Sequence, residues 1–172
     1  MNFLNEGKKF EIDWKNSMSE DIYYLRLKDS AGSYSFGNKS RFTPSNPYDC
    51  FAFYKSHLFP MELKSTKGTS ISFQKSKKEN SAMIKFHQIE GLTLADSYNN
   101  VYAGFIFDFR ESDTFWMGIS DFNKFLQSTT KKSINKNDII QFNGIKINKS
   151  KKRTRYSYDI EKLFSEIIGR EN

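Results

Sequence analysis

Residues 46–64, NPYDCFAFYKSHLFPMELK, leave the chain little freedom of architecture. Two aromatic-rich runs, YDCFAFY and HLFPMELKS, are separated only by Lys55 and Ser56. They predict an antiparallel hairpin in which Tyr54 faces His57, Phe51 faces Pro60 and Asp49 faces Glu62. Lys-Ser is poor chemistry for a two-residue turn, which leaves a slip of one residue open. Side chains alternate along a strand, so Glu62 and Lys64 share a face and Leu63 points away. In this register Asp49 joins them, and three charges converge at one end of an otherwise apolar hairpin. Unpaired buried charge is expensive, so such a cluster requires a partner.

A divalent cation held by Asp49 and Glu62 would supply that partner. Mg²⁺ favours one or two carboxylates together with waters and phosphate oxygens. It can activate water and neutralise charge on a phosphodiester. Lys64 would then orient the water or stabilise the pentavalent oxygens. Spacing alone leaves a second reading open: an aspartate capping a turn, and an exposed Glu/Lys strand pair.

The remaining sequence predicts one mixed α/β (α+β) domain over 1–172, a central mixed sheet flanked by helices. A helix is expected over EGKKFEIDWKNSM, with Phe10, Trp14 and Met18 on one stripe and Glu11 at its buried edge. DIYYLRLKD reads as a strand. Residues 30–47 carry Ser, Gly, Asn and Pro without a period and read as a long functional or stalk-like loop. After the hairpin, 66–80 reads as a polar loop and SAMIKFHQIEGLTLADSY as a helix weakened by Gly91. VYAGFIFDFR and TFWMGIS read as a second hairpin, and SDFNKFLQS as a helix capped by Ser120. An apolar patch (DIIQFNGIKI), a basic run (KSKKRTR) and a final amphipathic helix close the chain.

Seventeen Phe and nine Tyr argue for a packed core. The net charge of +7 points to a polyanionic partner. Cys50 is the only cysteine, so no intrachain disulfide can form; that fits a reducing, cytoplasmic setting. No run reaches the roughly 18 apolar residues of a membrane span, and the N-terminus reads as lacking a signal peptide. Two histidines and one cysteine make no zinc pattern. Heavy use of Lys, Asn, Ile and Phe suits a low-GC host or its phage.

The D-x₁₂-E-x-K spacing resembles the PD-(D/E)xK nuclease core, in which a strand-start Asp and an E-x-K on the next strand bind the metal. The chain more closely resembles the RecU family of Holliday junction resolvases, including phage relatives. Asp49-Cys50 matches that family's Asp-Tyr pair, and Met61-Glu62-Leu63-Lys64-Ser65-Thr66 its Phe-Glu-Ala-Lys-Glu-Thr string. His87-Gln88 matches a His-Gln pair on the next helix. Gly7 with Glu11 matches a first-helix glutamate, and Lys132-Ser133-Ile134 a late basic string. The family's Lys-Pro-x-Pro stretch is absent, and 30–47 stands in its place.

The resemblance implies a restriction-endonuclease-like fold and Mg²⁺-dependent hydrolysis, with Mn²⁺ as a substitute. Its substrate would be a four-way DNA junction, cut by a homodimer in recombination and repair. It implies a metal held by Asp49, Glu62 and the carbonyl of Leu63. Glu11, Lys64 and Gln88 would complete the catalytic set. Expected DNA contacts are Thr66 and Lys67, then Lys75, Lys77 and Lys78, then Lys151, Lys152, Arg153 and Arg155, with Lys39 and Arg41 beside Phe36 and Phe42 in the long loop. Two rivals stay open: a restriction-type or general phage nuclease on the same core, and a DNA-binding protein without hydrolytic activity.

Overall fold

The hairpin expected around Lys55-Ser56 forms, and a six-stranded sheet extends from it. In the computed structural model, which describes residues 6–28 and 46–171, β2 (Cys50–Tyr54) and β3 (His57–Thr66) pair antiparallel. Tyr54 lies opposite His57 and Phe51 opposite Pro60, the unslipped register. Lys55 and Ser56 both adopt left-handed backbone, with φ of 45° and 65°. That twist suits a two-residue hairpin, but each non-glycine residue costs about 1–2 kcal/mol there. Burial holds the register against this strain: Cys50, Ala52, Tyr54, Phe59, Met61 and Leu63 all enter one core. A slip by one residue would turn that set to the other face. Replacing Lys55-Ser56 by Asn-Gly is therefore expected to raise stability by about 1 kcal/mol or more, read as a higher urea midpoint at unchanged slope.

The sheet order is β1-β2-β3-β5-β6-β8. β1 (Tyr23–Arg26) pairs antiparallel with β2; β5 (Gly104–Phe109) runs parallel to β3; β6 (Thr114–Gly118) and β8 (Ile145–Ile147) follow antiparallel. β5 is buried at every position, as expected for a strand covered on both faces. One face packs on α1 (Glu6–Lys15) and α5 (Ile160–Glu171), through Phe10, Trp14, Leu63, Ile106 and Phe164. The other packs on α2 (Phe86–Asp96) and α3 (Ile119–Ser128), through Ile89, Phe105, Phe107 and Phe122. The expected class, a mixed sheet between helices, is the one formed.

Several local expectations need correcting. The 66–80 stretch contains β4 (Ser70–Ser72), which pairs with β7 (Ser133–Asn135), because Ile71 and Phe73 are buried. The helix expected from residue 81 starts at Phe86, since Ile84 instead bridges to Phe73 in extended backbone. Ser120 is not a cap. Gly118 holds the N-cap position of α3, and the Ile119 N–H donates to the Ala103 carbonyl at 2.8 Å. The apolar patch divides into α4 (Lys136–Gln141) and the edge strand β8. The basic run folds as a hairpin of β9 (Lys149–Lys152) and β10 (Arg155–Tyr158). Lys39, Arg41, Phe36 and Phe42 lie outside the described residues. Among the described residues, no helix is long and apolar enough to cross a membrane.

Candidate metal centre at the β2–β3 hairpin

Asp49 stands one residue before β2, where the chain arrives across α2. Gly91, which the sequence presents as a weak point of that helix, makes the crossing possible. A Cβ at residue 91 would meet Pro47 Cβ at 2.5 Å and the Pro47 carbonyl at 2.8 Å. Backbone thus packs against backbone, and Asp49 is set down at the start of its strand. Its Oδ2 accepts the Leu63 N–H at 2.9 Å, which fixes the carboxylate across the hairpin.

Glu62 is 2 % exposed on the face that looks toward α2. Its Oε1 accepts from Lys64 Nζ at 2.9 Å and from Gln88 Nε2 at 2.5 Å. Gln88 is aimed by its own helix: its Oε1 caps the Lys85 N–H at 2.9 Å, leaving the amide nitrogen to point at Glu62. Glu62 Oε2 is buried and has no hydrogen-bond partner. Burial, and then the charge of Asp49, raise the Glu62 carboxyl to about 7 against the opposing pull of Lys64. Asp49, Glu62 and Lys64 are therefore brought together, as the alternation argument requires, and α2 adds Gln88.

The donors suit a hard divalent cation. Lys64 serves Oε1 only, so the desolvated Oε2, beside a second carboxylate, is left without a donor or a cation of its own. Among the described residues, no group of three or more His, Cys, Asp or Glu side chains is placed to hold a metal. The pair Asp49 and Glu62, completed by water and backbone oxygen, is what Mg²⁺ commonly accepts. Glu11 sits on the opposite layer, half-buried on α1, and pairs with Arg26 of β1 at 2.8 Å. His87 lies beside the cluster. Burial, with the charges of Lys85 and Lys64, lowers its pKa below the ordinary histidine value. Cys50, next to Asp49, is fully buried with its thiol toward the Met61 carbonyl, and burial pushes its pKa above the usual range.

The expected DNA contacts divide by what already occupies them. Lys75 Nζ donates to the carbonyls of Leu126 and Thr129, closing the C-terminus of α3. Lys77 pairs with Glu90 at 3.0 Å, and Arg155 with Asp13 at 2.5 Å. The Thr66 hydroxyl accepts the Gly68 N–H, and Lys67, largely exposed, stands 3.6 Å from Glu6. Lys78, Lys151, Lys152 and Arg153 are exposed. One buried cluster escaped the sequence reading. Asp108, wholly buried on β5, accepts from Thr114 Oγ1 at 2.7 Å, Lys149 Nζ at 3.1 Å and Arg110 at 3.3 Å. Arg110 in turn holds Glu6 at 2.9 Å. The charged pair inside the apolar string GFIFDFR was the available signal.

No family model matches the chain. It is 35% identical to the SPbeta prophage-derived uncharacterized protein YotM of Bacillus subtilis (strain 168), in an alignment spanning 97% of this chain and 89% of that protein. A solved structure similar in part is that of Archaeoglobus fulgidus Hjc, a Holliday junction resolvase from an archaeal hyperthermophile. It is 16% identical with a TM-score of 0.49, over 81% of this chain and 94% of that one.

Proposed function

We propose that this chain, which belongs to the family of the SPbeta prophage-derived protein YotM, is a metal-dependent DNA endonuclease of the PD-(D/E)xK type that resolves four-way junctions. The observation that carries the proposal is the buried, unpartnered Glu62 Oε2 beside Asp49 and Lys64. A surface strand pair would leave both charges in water, whereas this one is withdrawn from it.

In this reading Asp49, Glu62 and the Leu63 carbonyl hold Mg²⁺, or Mn²⁺ in its place. When bound, the cation supplies an acidified water and draws charge from the phosphate. The residues do the rest. The Leu63 N–H holds Asp49 Oδ2, which fixes the direction of that carboxylate. Lys64 and Gln88 both occupy Glu62 Oε1, which leaves Oε2 as the atom that would serve a cation. Lys64 carries a fixed positive charge to the attacking water and the non-bridging phosphate oxygens. For Glu11, which pairs with Arg26 on the α1 layer, the resemblance is the only support for a role in the set. Thr66, Lys67, Lys78 and the loop residues Lys39 and Arg41 approach the DNA backbone.

The resemblance to RecU-type resolvases favours the junction over linear duplex. Two symmetric cuts need two sites, which a C₂ homodimer in the host cytoplasm would provide. The test is cleavage of a labelled mobile four-way junction and of a linear duplex with matching arms, each with Mg²⁺ and with EDTA. Mg²⁺-dependent nicks at the junction centre are expected. Equal rates on both substrates would remove junction selectivity and favour a general nuclease. Binding with no Mg²⁺-dependent product would remove the hydrolytic role.

Gln88 offers a separate check on the arrangement. Gln88→Ala leaves Glu62 Oε1 held by Lys64 alone and loosens the carboxylate without removing a proposed ligand. Loss of such an outer support is expected to lower cation affinity about 10–100-fold, visible as a higher Mg²⁺ concentration at half-maximal cleavage.

A further inference from the structure

The basic run 149–155 divides its charges between two tasks. Two are consumed by buried acids: Lys149 at the root of the β9–β10 hairpin, opposite Tyr158, and Arg155 beside the turn, opposite Lys152. Lys149 Nζ donates to Asp108 Oδ1 at 3.1 Å and to the Arg110 carbonyl at 3.3 Å; Arg155 Nε donates to Asp13 Oδ1 at 2.5 Å. Both acceptor acids are buried, Asp108 completely. Tyr156 lies beneath Lys149, whose ammonium is 4.9 Å from the ring centre. At the tip, Lys151, Lys152 and Arg153 are exposed, and no carboxylate of the described residues pairs with them. Arg153 takes the turn with φ of 51°.

The root is tied to the strand that carries Lys64. Asp108 lies opposite Ser65 in the parallel pairing, and Ser65 Oγ donates to Asp108 Oδ2 at 3.3 Å. The Arg110 N–H donates to the Thr66 carbonyl at 3.1 Å. A lone two-stranded hairpin is marginally stable in water; this one is held by Tyr158, buried against Phe10 and Trp14, together with the ion pairs of Lys149 and Arg155. Cations already paired with buried acids have little left for phosphate. Three consecutive cations without a carboxylate partner, Lys151 standing 5.9 Å from the Tyr156 ring centre, form on this anchored hairpin an electrostatic footprint for a polyanion, with little orientation left to lose on binding.

We propose that the β9–β10 hairpin is an arm that grips the phosphate backbone of one duplex arm of the DNA substrate. Lys151, Lys152 and Arg153 make the contacts. Asp108 is a positioning residue that holds this arm in register with Lys64 through Lys149. The proposal rests on the nuclease reading for its substrate and adds to it where the duplex is held.

Two measurements on the full chain test it. Junction binding is followed by fluorescence anisotropy across a salt series in EDTA, and cut positions are mapped with Mg²⁺ on an end-labelled junction. In Lys151→Ala/Lys152→Ala/Arg153→Ala, affinity is expected to fall about 10–100-fold near 0.1 M salt, and the log–log salt slope to shrink by about 2–3. Asp108→Asn, and the milder Lys149→Met, keep the tip cations. They are expected to preserve the slope and to spread the cuts over neighbouring phosphates. A purely structural Asp108 would lower the melting temperature of both variants and leave the cut positions where they are. If wild type binds and cuts while the triple variant binds with the same affinity and slope, the arm is overturned alone. If wild type binds and the triple variant shows the predicted slope change, but wild type never cuts, the nuclease reading falls and the arm stands. If wild type does not bind DNA, both fall.

Discussion

Glu62→Gln is expected to abolish Mg²⁺-dependent cleavage, by at least about 10²–10³-fold, while leaving fold and DNA affinity close to wild type. The geometry allows this separation. Glu62 Oε1 already accepts from Lys64 and Gln88, and a glutamine carbonyl in the same place can accept both. The amide nitrogen then falls where Oε2 lies buried and unpartnered, and an N–H₂ group cannot ligate a cation. Asp49→Asn should act in the same direction, since it removes the second carboxylate while the amide oxygen can still accept the Leu63 N–H. Cleavage by single-turnover gel assay, junction binding by anisotropy and Mn²⁺ affinity by calorimetry separate the effects. Cleavage at the wild-type rate by either variant would remove Asp49 and Glu62 from the chemistry.

Metal-free protein is expected to lose stability as pH rises from about 4.5 to about 7. Glu62 titrates near 4.5 when unfolded and at about 7 when folded. Between those values the folded state holds a proton that the unfolded state has released, so unfolding gains on folding with each increment of pH. Below the window both states are protonated, and above it both are ionised. The loss is no more than about 3 kcal/mol. Bound cation should reverse it near neutral pH, raising the melting temperature with concentration. Urea denaturation in EDTA at pH 5 and pH 7.5, repeated with Mn²⁺, measures both effects. Glu62→Gln should show neither the pH slope from this group nor the cation stabilisation. Flat stability across the window in wild type would contradict the desolvated carboxylate.

The parts of this architecture that depend on alternation could be read from the chain. Asp49, Glu62 and Lys64 meet because a two-residue turn and a period of two leave one register that buries Cys50, Ala52 and Tyr54. Gln88 could be placed on a helix, but its aim at Glu62 depends on where that helix begins. The chain reads as helical from residue 81, and the pairing of Ile84 with Phe73 moves the start to Phe86. That pairing is non-local, and so is the β4–β7 ladder, whose strands are too short for periodicity to betray. Basic residues were the least readable. Lys75, Lys149 and Arg155 look like their exposed neighbours in sequence, yet each is spent on a buried carbonyl or carboxylate far away in the chain. Charge runs report composition; which charges stay available is decided by tertiary contacts.

The burial of Cys50 provides a built-in clock for motion at the centre. Its sulfur is sealed in the core beneath the two strands that carry Glu62 and follow Asp49, and there is no second thiol to confuse the signal. An alkylating reagent can reach it only when the core around β2 and β3 opens, so the labelling rate counts those openings. Any ion that bridges residues 49 and 62 must clamp the same strands together, and its occupancy can be followed as a slowing of that clock, without any nucleic acid in the tube.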